Sequence, residues 1–202
     1  MVMMILLLLS SSSSLKQSAL AQNNHNITTI LSHSQSSNST KITTIGNFLT
    51  YQNPTYGIQI QYPSDWTISQ TGLRDFTNIV AFYSPLENLS DVFPEHVLLS
   101  VMHYSKNITL NDYTNLVNAT LKQPGIQIVE SNPITLTAGN LAAHRIVFLP
   151  PAGINTPFKP EIMLVWTVKG DKVYTIAYNA EATKYSIYLP IVQKMIASLE
   201  IK

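Results

Sequence analysis

Residues 56–66 read Tyr-Gly-Ile-Gln-Ile-Gln-Tyr-Pro-Ser-Asp-Trp, and this stretch constrains the fold more than any other. Ile58 and Ile60 alternate with glutamines, which is the pattern of a strand with one buried face. Pro63 is expected to end the strand because proline lacks the N–H that a sheet requires. Trp66 is predicted to anchor the core, since tryptophan is highly buried on average.

Further strands are predicted on both sides of this stretch. The segments with a strand pattern are 48–51, 66–69, 79–83, 97–104, 126–130, 134–137, 141–149, 161–168 and 173–178. Residues 138–140 (Ala-Gly-Asn) and 169–172 (Lys-Gly-Asp-Lys) predict hairpin turns, because Gly and Asn tolerate positive φ. Consecutive hairpins predict an antiparallel sheet.

Two amphipathic helices are predicted as well. The first is capped by Thr109 or Asn111, and Pro124-Gly125 ends it. The second covers 181–199, with Pro190 inside its apolar pattern. Because an interior proline costs about 3 kcal/mol, we expect a short turn first and Pro190 near the first position of the main helix. The helices need an apolar face, so the predicted fold class is α+β, an antiparallel sheet flanked by helices.

The N-terminus has the anatomy of an export signal. Val2–Leu9 is an apolar run too short to span a bilayer, and Ala19-Leu20-Ala21 matches a small-x-small cleavage site. No basic residue precedes the run, so an uncleaved N-terminal anchor is the alternative. We therefore expect a signal peptide at 1–21, a secreted or cell-surface location, and no transmembrane segment after cleavage.

Residues 22–47 form a Ser/Thr/Asn-rich leader that is predicted to be disordered, because it lacks the apolar residues to offset its ordering entropy. His25 and His33 lie in it and are interpreted as linker residues rather than metal ligands. A single domain is predicted at 48–202.

The composition excludes several functional classes. The 202 residues carry a formal net charge of +1 and no cysteine, which argues against nucleic-acid binding, disulfide scaffolds and thiol nucleophiles. The sequence lacks a Gly-x-Ser-x-Gly elbow, a His-Glu-x-x-His helix, a phosphate loop and a dinucleotide-binding fingerprint. A Ser-His-Asp triad is set by geometry and leaves no sequence pattern. No enzyme and no cofactor is therefore predicted.

One polar group is a candidate site for a divalent cation. Glu87, Asp91 and Glu95 are spaced at i, i+4 and i+8, and His96 adds an imidazole. Pro94 interrupts any single helix that would carry all of them. The alternative interpretation, which we favour, is a solvated acidic loop over residues 84–96.

Two further histidines lie in predicted strands. His103 is in phase with the apolar residues of strand 97–104, which predicts a hydrogen-bonded core histidine rather than a ligand. His144 adjoins Arg145 and is the better candidate to face solvent.

Five Asn-x-Ser/Thr sequons predict N-glycosylation if the chain is exported: Asn26, Asn38, Asn88, Asn107 and Asn118. A chain this rich in Asn, Ser and Thr also produces sequons by chance. Asn26, Asn38 and Asn88 lie in predicted tail or loop and are the better candidates.

The 56–66 stretch resembles the opening strand of PsbP-like domains, which carry an aromatic-Gly-apolar-x-apolar-x-Tyr-Pro-x-x-Trp segment. Strand 173–178 and the closing helix are similar to the end of that fold. The resemblance spans about 48–202 and implies an antiparallel sheet flanked by helices, a fold shared with Ran-binding Mog proteins. Secreted archaeal proteins of unassigned role resemble the same pattern, leader included. Some family members bind divalent metals, but their ligands are not matched residue by residue here.

Together these patterns predict an exported, non-enzymatic binding or assembly module with a protein partner at the cell surface. The alternative is an extracytoplasmic accessory protein that binds a divalent metal or small ligand through loop 84–96. An extracellular hydrolase is the third and least favoured interpretation.

Overall fold

The structure is a computed structural model that describes residues 47–70, 77–151 and 158–202. Over these ranges the strands are β1 Phe48–Asn53, β2 Ile58–Pro63, β3 Thr67–Ser69, β4 Asn78–Tyr83, β5 His96–His103, β6 Gln127–Leu136, β7 Leu141–Leu149, β8 Pro160–Lys169, β9 Lys172–Glu181 and β10 Glu200–Ile201. The helices are α1 Leu110–Leu121, between β5 and β6, and α2 Tyr185–Ala197, between β9 and β10.

The strands form two antiparallel sheets rather than one. The large sheet has seven strands in the order β3-β4-β5-β9-β8-β7-β6, and the small sheet has the order β1-β2-β10. The hairpins β6–β7 and β8–β9 are formed as the turn residues predict. The α+β class and the antiparallel pairing predicted from the sequence are confirmed.

Each face of the large sheet carries its own apolar core. On one face, Tyr113, Val117 and Leu121 of α1 pack against the sheet. On the other face, α2 and the small sheet together pack against it, with Val192 and Met195 of α2 fully buried. The molecule therefore has three layers, and both faces of the large sheet are covered.

Helix α1 begins at Leu110, directly after its N-cap residue Thr109. Thr109, one of the two predicted caps, accepts a hydrogen bond from the backbone N–H of Asp112, and the Asp112 carboxylate accepts one from the Thr109 N–H. The helix is held to the sheet by its apolar residues and by Trp166, whose Nε1 donates to Thr114 Oγ1 at 3.1 Å.

The expectation for Pro190 is wrong, because α2 is one continuous helix with this proline at an exposed interior position. Residues 181–184, expected to be helical, instead complete β9 and a turn. Proline at 190 removes one hydrogen bond, the one to the Ser186 carbonyl. Burial of Tyr185 before it and of Val192 after it keeps the two halves on one axis.

The two strands expected at 126–130 and 134–137 are a single strand, β6, with a bulge between Ile128 and Glu130. Pro133 lies within it. A proline is tolerated there because β6 is at the edge of the sheet, where its missing N–H has no strand to bond.

The C-terminus forms a strand that the sequence did not predict. Residues 200–201 pair with β2, and the Lys202 N–H donates to the Gly57 carbonyl at 2.8 Å. Lys169 Nζ donates to the Ile201 carbonyl at 2.7 Å, which ties this strand to the end of β8. Trp66 is buried as predicted, with its ring edge-on to Tyr188.

The signal peptide, most of the leader, and the tail histidines His25 and His33 lie outside the described residues and stay predictions. Within the described ranges, neither helix has the length and apolar character needed to cross a bilayer.

Gly57→Ala is expected to destabilise the protein more than Gly170→Ala. Both glycines have positive φ, +65° and +64°, so both substitutions carry similar backbone strain. A Cβ at Gly57 would lie 2.8 Å from the Lys202 carbonyl oxygen, whereas one at Gly170 meets nothing within 4 Å. The extra loss should be about 1–3 kcal/mol in the free energy of unfolding, measured by urea denaturation. Equal losses would show that the contact between β2 and the C-terminus contributes nothing.

Candidate functional site

The predicted acidic loop lies against the start of α2. It leaves β4 at Ser84, returns to β5 at Glu95, and passes over Lys184 just before the helix. The β4–β5 loop and the β9–α2 junction meet because β5 and β9 are antiparallel neighbours, and His96 at the start of β5 is paired with Asn179 near the end of β9.

Three carboxylates surround one ammonium group. Lys184 Nζ lies 3.1 Å from Asp91 Oδ2, 3.5 Å from Glu87 Oε2 and 3.8 Å from Glu95 Oε1. Tyr188, one turn further along α2, donates from its hydroxyl to Glu87 Oε1 at 3.2 Å. We call Lys184, Glu87, Asp91 and Glu95 the Lys184 cluster. The acidic loop is therefore fastened to α2 at several points rather than solvated as favoured from the sequence.

Glu95 is the most deeply placed member of the cluster. Its side chain is fully buried, and burial raises its pKa despite the Lys184 charge. Ser84 Oγ donates to Glu95 Oε2 at 3.3 Å, whereas Oε1 is within ion-pair distance of Lys184 but forms no hydrogen bond with a described residue. Lys184 is thus needed to compensate a carboxylate that water does not reach.

Asp91 and Lys184 form the strongest contact of the cluster. Burial opposes ionisation of Asp91, but the N–H groups of Glu87 and Phe93 and the Lys184 ammonium outweigh it and lower its pKa. Burial likewise opposes the charge on Lys184, yet the hydrogen bond to Asp91 and the nearby carboxylates raise its pKa to about 12. Both groups are therefore charged at neutral pH.

His96 does not join the carboxylates. Successive side chains of a strand point to opposite faces, so His96 lies on the other side of the sheet from Glu95. Its Nδ1 is 3.1 Å from the Pro94 carbonyl oxygen, and its ring contacts Tyr83 and Phe93. Burial lowers its pKa to about 4, so the imidazole is neutral at neutral pH.

The structure thus brings together three of the four predicted ligands, around an ammonium group instead of a metal ion. Among the residues that the structure describes, no group of three or more His, Asp or Glu side chains is arranged to hold a metal ion. The cation site at Glu87, Asp91, Glu95 and His96 stays a prediction. The sequence does not reveal Lys184 and Tyr188 as part of the site, because they lie 93 residues after Asp91 and 101 residues after Glu87, and no local pattern links them.

The two remaining strand histidines are placed differently from each other. His103 is exposed, 3.7 Å from Asp171, so its prediction as a core residue is wrong. It is the last residue of β5, and its ring contacts Tyr56 at the edge of the layer that covers Val101. His144 is half-buried and stacked on Trp166, with Nε2 2.9 Å from Ser131 Oγ.

The described sequons occupy three kinds of structure. Asn88 lies in an exposed turn of the acidic loop, Asn107 lies just before α1, and Asn118 lies within α1. Asn26 and Asn38 are outside the described residues.

Comparisons with known proteins agree on one fold. The sequence profile of the family described as PsbP-like protein matches residues 3–198. The solution structure of cyanobacterial PsbP, CyanoP, from Synechocystis sp. PCC 6803 is similar with a TM-score of 0.57 and 14% identity, covering 81% of this chain and 98% of that one. No curated protein matches the chain by sequence.

Two other solved structures have the same architecture at low identity. LpqN of Mycobacterium tuberculosis, described as involved in cell envelope biogenesis, has a TM-score of 0.58 and 13% identity, covering 77% of this chain and 91% of that one. The Saccharomyces cerevisiae Ran-binding protein Mog1p has a TM-score of 0.51 and 10% identity, covering 77% and 96%. At these identities the similarity establishes the fold alone.

Lys184→Met is expected to destabilise the protein by about 3–5 kcal/mol, because it leaves two buried carboxylates without a counter-charge. Lys172→Met is the matched control, since Lys172 pairs with Asp171 at the surface, where the side chains are 31% and 52% exposed. The control should lose less than about 1 kcal/mol. Urea denaturation at pH 7 measures both variants. Similar small losses would mean that the Lys184 cluster does not hold the loop.

His96 is expected to make stability fall as the solution is acidified. Burial holds its pKa at about 4 in the folded protein, against 6.5 for a solvated histidine, so unfolded chains bind the proton first. The contribution of the neutral imidazole to the free energy of unfolding is complete above about pH 6.5. As the pH falls towards 4, this contribution of roughly 3 kcal/mol is lost.

His96→Leu removes this contribution. The raised pKa of Glu95 shifts stability in the opposite direction as the pH changes, so the informative quantity is the difference between wild type and variant. Denaturation at pH 7.5, 5.5 and 4.5 should show a steeper decline for the wild type. Parallel profiles would contradict burial of a neutral imidazole.

Proposed function

The chain belongs to the PsbP-like protein family, and we propose that it is an exported, non-enzymatic binding module that holds a protein partner at the cell surface. The export anatomy of residues 1–21 supports the location. Two proteins of similar fold, one Ran-binding and one involved in cell envelope biogenesis, support a binding or assembly role.

The observation that carries the binding role is the open edge of the large sheet at β6. Both faces of the central strands are covered, so a partner can reach the backbone of the sheet only at an edge. The β3 edge has three residues, whereas β6 has ten. An edge strand presents unpaired N–H and C=O groups, and proteins commonly recognise partners by adding a strand there.

The first half of β6 is the accessible part. Between 127 and 133 each residue is exposed except Glu130, whose carboxylate forms an ion pair with Arg145 on β7. Ile128 and Val129 are 42% and 55% exposed, so an apolar side chain precedes the bulge and another is its extra residue. Pro133 limits strand pairing to the residues before it, because it cannot donate a hydrogen bond.

The ion pairs within the Lys184 cluster support a non-enzymatic role for the acidic loop. Its ammonium is committed to three carboxylates, and the neighbouring imidazole of His96 is buried on the other face. Divalent-cation binding, the alternative function, would require Lys184 to leave these carboxylates. That exchange would break the hydrogen bond from Lys184 to Asp91 and the ion pairs with the three carboxylates.

Val129→Lys is expected to abolish partner capture while leaving the fold intact, because it charges an exposed edge position. Leu116→Lys is the matched control, since Leu116 is a similarly exposed apolar residue, 40% exposed, on α1. The full chain is crosslinked on intact producing cells, and its adducts are identified by mass spectrometry. One defined partner should be recovered with wild type and Leu116→Lys, and lost with Val129→Lys.

Recovery of free monomer from wild type would contradict the binding role. Loss of the partner with both lysine variants would show that β6 is not the binding edge. A thermal-shift scan against divalent cations tests the alternative, since a ligand at a hundred times its Kd adds roughly 2.7 kcal/mol. A rise that a chelator reverses would favour the accessory cation-binding role.

A further inference from the structure

We propose that Asn88 carries an N-linked glycan, and that it is preferred over the other two described sequons. The inference rests on the proposed export, because the transferring enzyme and its lipid-phosphate-linked sugar donor act outside the cytoplasm. The three described sequons differ in what the fold does to the asparagine and to the hydroxyl two residues later, and this difference carries the assignment.

Asn88 begins a tight turn at the tip of the acidic loop. Its Oδ1 accepts hydrogen bonds from the N–H of Ser90 at 2.9 Å and of Asp91 at 3.1 Å, and also from the Ser90 hydroxyl. Both members of the sequon are therefore side by side in the folded protein. Since Oδ1 makes these contacts, the amide nitrogen is the atom of this exposed side chain that is left for modification.

The tip can accept a sugar without loss of packing. Residues 85–90 are all exposed, and Leu89 at the centre of the turn is fully so. Glu87 and Asp91 on either side are fastened to Lys184, so the acceptor is displayed as a short loop between two fixed points. A glycan here extends into solvent and leaves the Lys184 cluster intact.

The other two sequons are engaged in the first helix. Thr109, the hydroxyl residue of the Asn107 sequon, caps α1 through Asp112, and breaking such a cap costs about 1 kcal/mol. Asn118 is inside α1, and the hydroxyl of the buried Thr120 donates to the Leu116 carbonyl at 2.9 Å. A transferase would have to break the cap to engage Thr109, and to open the helix to engage Thr120.

The modification is a substitution without oxidation or reduction. The Asn88 Nδ2 forms a bond to the anomeric carbon of the sugar, as the bond from that carbon to the donor's phosphate oxygen breaks. The phosphate leaves with the electron pair, and one amide proton passes to a base on the transferase.

The test uses the full chain isolated from extracytoplasmic and cytoplasmic fractions of the cells that produce it. Trypsin separates the sites, because cleavage after Arg74 and Lys106 gives peptide 75–106 with Asn88 as its one sequon. Peptide 107–122 contains both of the others. We expect the sugar mass on peptide 75–106 and an unmodified peptide 107–122.

Substitutions in the sequon show whether the added mass on peptide 75–106 is a glycan on Asn88. Asn88→Gln and Ser90→Ala should remove the added mass. Ser90→Thr should keep the added mass because the hydroxyl is retained, and Asn118→Gln should leave it unchanged. Extracytoplasmic chain with an unmodified Asn88 would overturn this inference alone. Chain found in the cytoplasm only would overturn the proposed location and this inference with it.

Discussion

The pairing of β9 with β5 and β8 is the constraint on which the other layers depend. Residues 173–180 are all buried, because β9 is in the middle of the large sheet and both of its faces are covered. Ala177 contributes to the core under α1, and Ile176 contributes to the core under α2. Tyr178 stacks on Tyr185 and donates to its carbonyl at 3.0 Å, so the same strand also positions the start of α2.

The position of α2 in turn fixes the acidic loop. Burying carboxylates without a counter-charge is costly, and a single lysine compensates them only if its backbone is held in place. Lys184 lies one residue before the helix that β9 positions, and it reaches across to Asp91, ninety-three residues earlier in the chain. The loop, the helix and the central strand are therefore coupled. Removing Lys184 would destabilise all three.

Local patterns in the sequence were sufficient for most of the fold and insufficient for the site. The alternation in β2 and the cap at Thr109 are short-range signals, and both were interpreted correctly. Continuity of α2 through Pro190 depends on burial of residues at both ends of the helix. The strand at 200–201 depends on pairing with β2. Neither feature therefore has a local signal in the sequence. The same reason applies to Lys184, because a spacing of acidic residues does not reveal which cation neutralises them.

The contrast between the acidic loop and the β6 edge bears on function. At the acidic loop the carboxylates are held around Lys184, so a cation would have to displace that ammonium group before it could bind. At β6, by contrast, backbone groups and apolar side chains are open to a partner. The Arg145–Glu130 ion pair ties the edge to β7. The backbone on the outer side and the exposed side chains of Ile128 and Val129 have no neighbouring strand among the described residues. A preorganised edge with unpaired backbone groups loses little conformational entropy when a strand is added. The open β6 edge is therefore the basis of the proposed binding role, whereas the acidic loop contributes rigidity and an exposed turn.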